Sequence, residues 1–225
     1  MVGRCGTLDG QVGRSTVREF KRVNSEKLKA AEAHFLQMYP DGFADEAMQS
    51  VRKKHNVDKL ITYANETITK ANCNRPEFIA EAVLNIISRS SMVSRFEKPP
   101  FKDFINSLSS PEKQAFAHAI EQRMFGRKAK GFDALVGMLA HFKLAKWSLV
   151  SAVPFYVAPR REVFVKPTTA KGIVKGLEVD LHYQARPTWA FYDGYRKLIV
   201  DVRKQVSPTL SPSNAALTGF LMMSL

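Results

Sequence analysis

The stretch NRPEFIAEAVLNII, Asn74 to Ile87, decides the fold class. Phe78, Ile79, Ala82, Val83, Ile86 and Ile87 recur at spacings of three and four, the period of an α-helix with one wide apolar face. Asn74 and Pro76 open it. Asparagine can cap unpaired amides, and proline fits a first turn because its missing N–H would have no partner there. A face this wide needs neighbours on several sides, which puts the helix at the centre of a bundle.

The same periodicity continues in both directions. Upstream, Ser25 caps a helix carrying Leu28, Ala31, Phe35 and Met38, and Pro40-Asp41-Gly42 stops it. Asp45 caps a short helix through Ala47, Met48 and Val51, and a third runs from Val57 to Ala71. Downstream, Ser88 to Pro100 reads as a connection. Phe101, Phe104, Ile105 and Leu108 then form a stripe. Ser109 with Glu112 makes a capping box ahead of Phe116, Ile120 and Met124, and Phe132, Leu135, Val136, Leu139 and Phe142 define the next helix.

The pattern weakens after Trp147. Trp147 to Val157 is apolar throughout and interrupted by Pro154, so helix and strand are not separable there. Residues 162–165 alternate and are β-branched, which predicts a short strand, and 179–183 predict a second. A helix near Ala170 to Leu177 lies between them, and a long one follows from Thr188 to Val206. The expected fold is mostly α: a flexible tail over 1–16, a helical bundle over 17–145, and a small α+β part over 146–225 that shares its core with the bundle or stands beside it.

Composition sets further limits. The 225 residues carry 34 Lys and Arg against 21 Asp and Glu, a formal net charge of +13. Such an excess attracts polyanions, because neutralising phosphates releases their counterions. No run of about 18 apolar residues is present, so no membrane-spanning helix is expected. Glycines, Arg4 and Asp9 interrupt the first 13 residues, which argues against a secretory signal. Cys5 and Cys73 make no disulfide framework, and together these features predict a cytoplasmic protein.

Known catalytic patterns do not fit. There is no Gly-Lys-Ser/Thr phosphate loop and no Gly-x-Ser-x-Gly elbow. His34, His55, His118, His141 and His182 are scattered, without metal-ligand spacing. Glu162, Lys166 and Asp180 invite comparison with a metal-dependent nuclease, but a strand-end salt bridge explains Glu162 and Lys166 more simply. No catalytic residue, metal or cofactor is therefore assigned.

The leading candidate is a basic helix start. Lys166 precedes Pro167, and Thr168 and Thr169 offer hydroxyls beside unpaired helix amides that favour an anion. Lys171 and Lys175 lie one turn apart on one face, with Arg160 and Arg161 just upstream. Together they form a clamp for successive phosphates, and the plain alternative is a solvated helix start with an ordinary Thr cap. Arg186 and Trp189 add a cation and an aromatic at the next helix start. Base stacking by Trp189, Tyr192 and Tyr195 is the sharper reading of that spacing, and core packing is the preferred one. A second basic run, Arg14, Arg18, Lys21, Arg22, Lys27 and Lys29, suits an arm that tracks phosphates, and Arg52-Lys53-Lys54 suits a solvated helix end.

Val163-Phe-Val-Lys-Pro-Thr-Thr, Leu181-His-Tyr, Pro187-Thr-Trp and Tyr192 together resemble a segment of conserved bacterial proteins of unknown function, associated with restriction or defence. The resemblance covers the last third of the chain. It implies an association with nucleic acid and transfers no catalytic residue.

The function expected from the sequence is non-catalytic binding of DNA or RNA. The second reading is a scaffold protein that docks an acidic partner. In that reading the apolar end, residues 214–225, either folds back onto its own core or pairs with a second copy. An enzyme with an unfamiliar site is the third.

Overall fold

A computed structural model describes residues 23–50 and 57–225. Among these residues the chain forms ten α-helices and four short 3-10 turns, with no strand. The helices are α1 Ser25–Met38, α2 Asp58–Thr67, α3 Pro76–Arg89, α4 Lys98–Ser107, α5 Ser110–Phe125, α6 Lys128–His141, α7 Trp147–Val157, α8 Pro167–Gly176, α9 Trp189–Arg203 and α10 Asn214–Ser224. No described helix is long and apolar enough to cross a membrane.

The wide apolar face of α3 has the expected consequence. Ile79, Ala82, Val83, Ile86 and Ile87 are all buried, and α3 packs against α2, α4, α5 and α7. Pro76 occupies its first turn. At the start of α5 the Glu112 carboxylate accepts from the Ser109 amide at 2.8 Å and from its hydroxyl at 2.6 Å. Asp45 accepts from the Ala47 amide at 2.9 Å, but what it opens is a 3-10 turn, Glu46–Met48. The first helix is capped by Asn24 rather than Ser25: its side chain accepts from the Lys27 amide at 3.1 Å. Pro99 and Pro100 open α4 instead of ending a connection, because a first turn has no use for their missing amides.

Helices α5 and α6 form a hairpin across Gly126 and Arg127 and are the most extensively packed helix pair among the described residues. Gly131 of α6 sets that closeness. A Cβ built on it would lie 2.7 Å from the Cα of Arg123 and nearer still to its amide nitrogen.

The segment that no period could assign, Trp147–Val157, is helix α7 with Pro154 inside it. Every residue from Trp147 to Tyr156 is buried. A helix enclosed on all sides has no polar stripe, so its sequence carries no 3.6-residue signal. Ser151 shows how such a helix serves its surroundings: its hydroxyl donates to Trp147 O and accepts from the Val165 amide at 2.9 Å.

The expected α+β part is not present. Residues 162–165 and 179–183 are not strands. Their backbone bonds go elsewhere: Val165 N–H donates to the Ser151 side chain, Val179 N–H to Val174 O at 3.0 Å, and Leu181 N–H to Val179 O at 2.9 Å. A strand exists only with a partner edge, and these stretches reach helices instead. Burial explains the misreading of the first. Glu162, Val163, Phe164 and Val165 are all buried, so the β-branched run is filling between helices and has no exposed face.

The apolar end folds back onto its own chain. Helix α10 packs against α1, α8 and α9, and Phe220 meets Phe35 edge-on at 5.3 Å. Leu217, Phe220 and Leu221 are buried, whereas Met222, Met223 and Leu225 remain exposed. One cluster of buried side chains runs from Leu28 to Leu221 and crosses residue 145 without a break. The expected tail, the basic residues Arg14, Arg18, Lys21 and Arg22, Val51, and Arg52-Lys53-Lys54 lie outside the described residues.

Candidate functional site

Two groups of charged side chains stand out. One is buried and compensated, and the other is exposed and uncompensated. The buried group centres on Arg123, which the α5 register brings to the core face, three residues after Ile120 and seven after Phe116. Its side chain is 1% exposed.

Burial of a guanidinium requires a partner, and Glu162 supplies one. Arg123 Nη2 donates to Glu162 Oε2 at 2.8 Å, with Nη1 3.5 Å from Oε1. Lys128 Nζ donates to Oε1 at 3.1 Å from the half-exposed start of α6. The Tyr192 hydroxyl of α9 donates to Oε2 at 2.9 Å, and Asn214 Nδ2 at the start of α10 donates to the Glu162 carbonyl at 2.9 Å. The guanidinium also lies over the rings of Tyr192, 4.9 Å away, and Trp189, 5.4 Å away. Helices α5, α6 and α9 thus meet on one carboxylate, and α10 holds the backbone of the same residue.

Burial pushes the Glu162 carboxyl up, but the hydrogen bonds and charge of Arg123, aided by Lys128, outweigh it and hold the group below the ordinary carboxylate range. Burial pushes the Tyr192 phenol well above its usual range, so it stays protonated and donates. The sign for stability follows from linkage. A carboxyl depressed in the fold contributes stability that is complete above its unfolded value and is lost as pH falls through its folded value. Urea unfolding from pH 7 to pH 3 will therefore show a fall in stability that is shallower in Glu162→Gln. A fall of equal steepness in both proteins would separate Glu162 from acid stability.

This geometry removes Glu162 from any nuclease-like set with Lys166 and Asp180. Its oxygens are occupied by Arg123, Lys128 and Tyr192, whereas Lys166 and Asp180 are exposed. Among the described residues no group of three or more His, Cys, Asp and Glu is placed to hold a metal ion. Cys73 is buried, donates to Thr69 O at 3.3 Å, and has its thiol pushed up to about 11 by burial, which suppresses the reactive thiolate.

The exposed group is the basic one. Arg160 and Arg161 sit in the turn after α7, and Lys166 stands before Pro167 at the start of α8. Thr168, Lys171, Gly172 and Lys175 form the exposed stripe of α8, opposite the buried Ala170 and Ile173. No carboxylate among the described residues pairs with Arg160, Arg161, Lys166, Lys171 or Lys175. The Lys171 ammonium lies 5.5 Å from the Tyr183 ring, which steadies the side chain without neutralising it.

The other expected members separate from this stripe. Thr169 is buried, and its hydroxyl donates to Met222 Sδ at 3.0 Å, so it faces α10. Trp189 stacks on Tyr192 at 5.8 Å and meets Phe132 edge-on at 5.7 Å, so it closes the Arg123 network. Tyr192 and Tyr195 are buried. Arg186 is exposed in the turn before α9. Lys27, from the upstream basic run, is paired with Glu178 at 2.7 Å.

Sequence reading missed one cation. Arg203 Nη1 donates to the carbonyl of Arg160 at 2.5 Å and to Asn214 Oδ1 at 3.2 Å, which holds its guanidinium beside the Arg160 turn. Partial burial first, and then the charge of Arg160, push its pKa down, the mark of a cation crowded by another. Separations of 43 and 11 residues leave no local signal for such a pairing.

Gly172 lies in the middle of the exposed stripe, and a Cβ built on it meets nothing within 4 Å. Glycine inside a helix costs roughly 0.5–1 kcal/mol relative to alanine. Gly172→Ala should accordingly raise stability by about that amount in urea unfolding, and no gain would mean that the helix is frayed there.

Comparison of the chain with protein-family models, with curated proteins and with solved structures finds no match. The reading of function therefore rests on the residues themselves.

Proposed function

We propose that the protein is a nucleic-acid-binding protein that engages the phosphate backbone without catalysis, through Lys166, Thr168, Lys171 and Lys175 at the start and along the exposed face of α8, joined by Arg160, Arg161 and Arg203. One observation carries the reading: Arg160, Arg161, Lys166, Lys171 and Lys175 are exposed and lack carboxylate partners among the described residues, although the chain carries 21 acidic residues to supply them. The half-buried Arg203 is held beside them by the Arg160 carbonyl. Some cations elsewhere are paired, Lys27 with Glu178, Arg196 and Lys197 with Asp193, Lys204 with Asp201. Others, such as Lys102, Lys130 and Lys143, have no ion pair among the described residues either, so what sets the α8 group apart is five unpaired cations within residues 160–175. Uncompensated charge on a folded surface is what a polyanion recognises, and the amides of Thr168 and Thr169 at the helix start favour the same ligand. Trp189 and Tyr192 belong to the core in this reading, so base stacking contributes little and sequence preference is weak.

The test compares two double variants. Lys171→Ala with Lys175→Ala removes two uncompensated cations. Lys197→Ala with Lys204→Ala removes two compensated ones and is the control. Binding of mixed-sequence single-stranded and duplex DNA and RNA is followed by anisotropy over a salt series. The first variant should reduce the slope of log affinity against log salt by about 2, since each phosphate contact contributes about 0.9 on a duplex. Equal slopes in both variants would remove α8 from the interface.

A second reading, self-association, draws on Met222, Met223 and Leu225, which stay exposed at the end of α10. Sedimentation at rising concentration decides it, and a monomer throughout excludes it.

A further inference from the structure

Beneath the surface, a cavity of about 20 Å³ lies between α3, α4, α5, α6 and α7, lined by Val83, Phe116, Leu139, Val150, Pro154 and Arg123 among others. All but one of these side chains are apolar. Arg123 is 1% exposed, and its Nε is buried with no hydrogen-bond partner among the described residues. Its terminal nitrogens face Glu162, so Nε–H is the donor that the ion pair does not use. An unmade hydrogen bond on a buried charged group is costly, so a polar partner at the same cavity would be stabilising.

Covalent structure supplies that group. Pro154 lies inside α7 and has no N–H, so the Val150 carbonyl lacks the donor that position 154 gives in a regular helix. Val150 and Pro154 both line the cavity. Arg123, with one donor unpaired, and Val150, whose carbonyl lacks the regular helix bond, therefore border the same small space. A volume above roughly 10–15 Å³ admits one water molecule, and a water needs at least two polar partners. An anion there would meet an arginine already neutralised by Glu162.

We infer that this cavity is a binding site for a single water molecule, which accepts from Arg123 Nε–H and donates to the carbonyl oxygen of Val150. The water completes the Arg123 network on the side away from Glu162. It links the proline-broken turn of α7 to α5 and lets α7 keep Pro154 at a fully buried position.

The test is water-selective NMR on the full-length protein with ¹⁵N-labelled arginine. A water held longer than the tumbling time gives Arg123 Hε an NOE and an ROE of opposite sign at the water frequency, whereas exchange of Hε with bulk water gives the same sign in both. Opposite signs in the natural protein are expected. Pro154→Ala restores an N–H that competes for the Val150 carbonyl, and there the cross-peak should weaken by at least half while the Arg123 Hε shift confirms an intact ion pair. Same-sign peaks, or no water peak at Hε in the natural protein, overturn the site. A cross-peak unchanged in a folded Pro154→Ala variant overturns the role of the Val150 carbonyl and with it the inference.

Discussion

Glu162→Gln should destabilise the protein by about 3–5 kcal/mol, the usual consequence of removing one partner of a buried ion pair. The substitution keeps the size of the side chain and removes only its charge. Lys128, half exposed, turns to solvent at little cost. Arg123 has no such exit: it lies 1% exposed beneath the rings of Trp189 and Tyr192. The loss is therefore the penalty of an uncompensated buried guanidinium. Tyr192 keeps a weaker acceptor in the Val163 carbonyl at 3.3 Å, and Asn214 keeps its bond to the backbone of residue 162. Urea unfolding measures the effect. The double variant Arg123→Met with Glu162→Leu should lose less than Glu162→Gln alone, because two apolar groups leave no charge stranded. A loss under about 1 kcal/mol in Glu162→Gln would mean that water reaches Arg123.

Gly131→Ala is expected to cost about 3 kcal/mol or more, at or beyond the upper end of overpacking substitutions. Most glycines in helices can gain a methyl group, and Gly172 shows why: nothing stands near it. Gly131 faces the backbone of Arg123, 2.7 Å from a built Cβ to the Cα, and a backbone cannot rotate aside as a side chain can. The methyl group must part α5 from α6, and Arg123 rides on the displaced turn. Two consequences follow together, a lower urea midpoint and weaker acid dependence, since the ion pair loosens with the hairpin. A Gly131→Ala protein with unchanged stability would show that the two helices do not lie this close in solution.

These two sites mark the boundary of what a sequence discloses. The stripe of α3 and the capping box at Ser109 are local patterns, and both appear in the structure where their spacing puts them. Helix α7 was not legible because a helix buried on all sides repeats nothing. The two expected strands failed for a related reason: β-branched residues suit any extended buried segment, and only a partner edge makes a strand. Arg123 did leave a trace. It falls on the Phe116 and Ile120 stripe, where a cation requires a buried partner, but nothing within the sequence points 39 residues ahead to Glu162. For the basic surface, the exposed members around α8 follow from helical spacing, whereas Thr169 and Trp189 depart because α10 and Phe132 claim them. Arg203 enters only through the tertiary fold.

In the proposed function uncompensated cations meet a phosphate backbone, and the salt dependence of binding by the unaltered protein tests this most directly. Anisotropy titrations of mixed-sequence DNA and RNA should give affinity that falls with salt on a log–log slope of about −3, as three or four neutralised phosphates require. No binding at the lowest salt, or binding that does not weaken as salt rises, would contradict it.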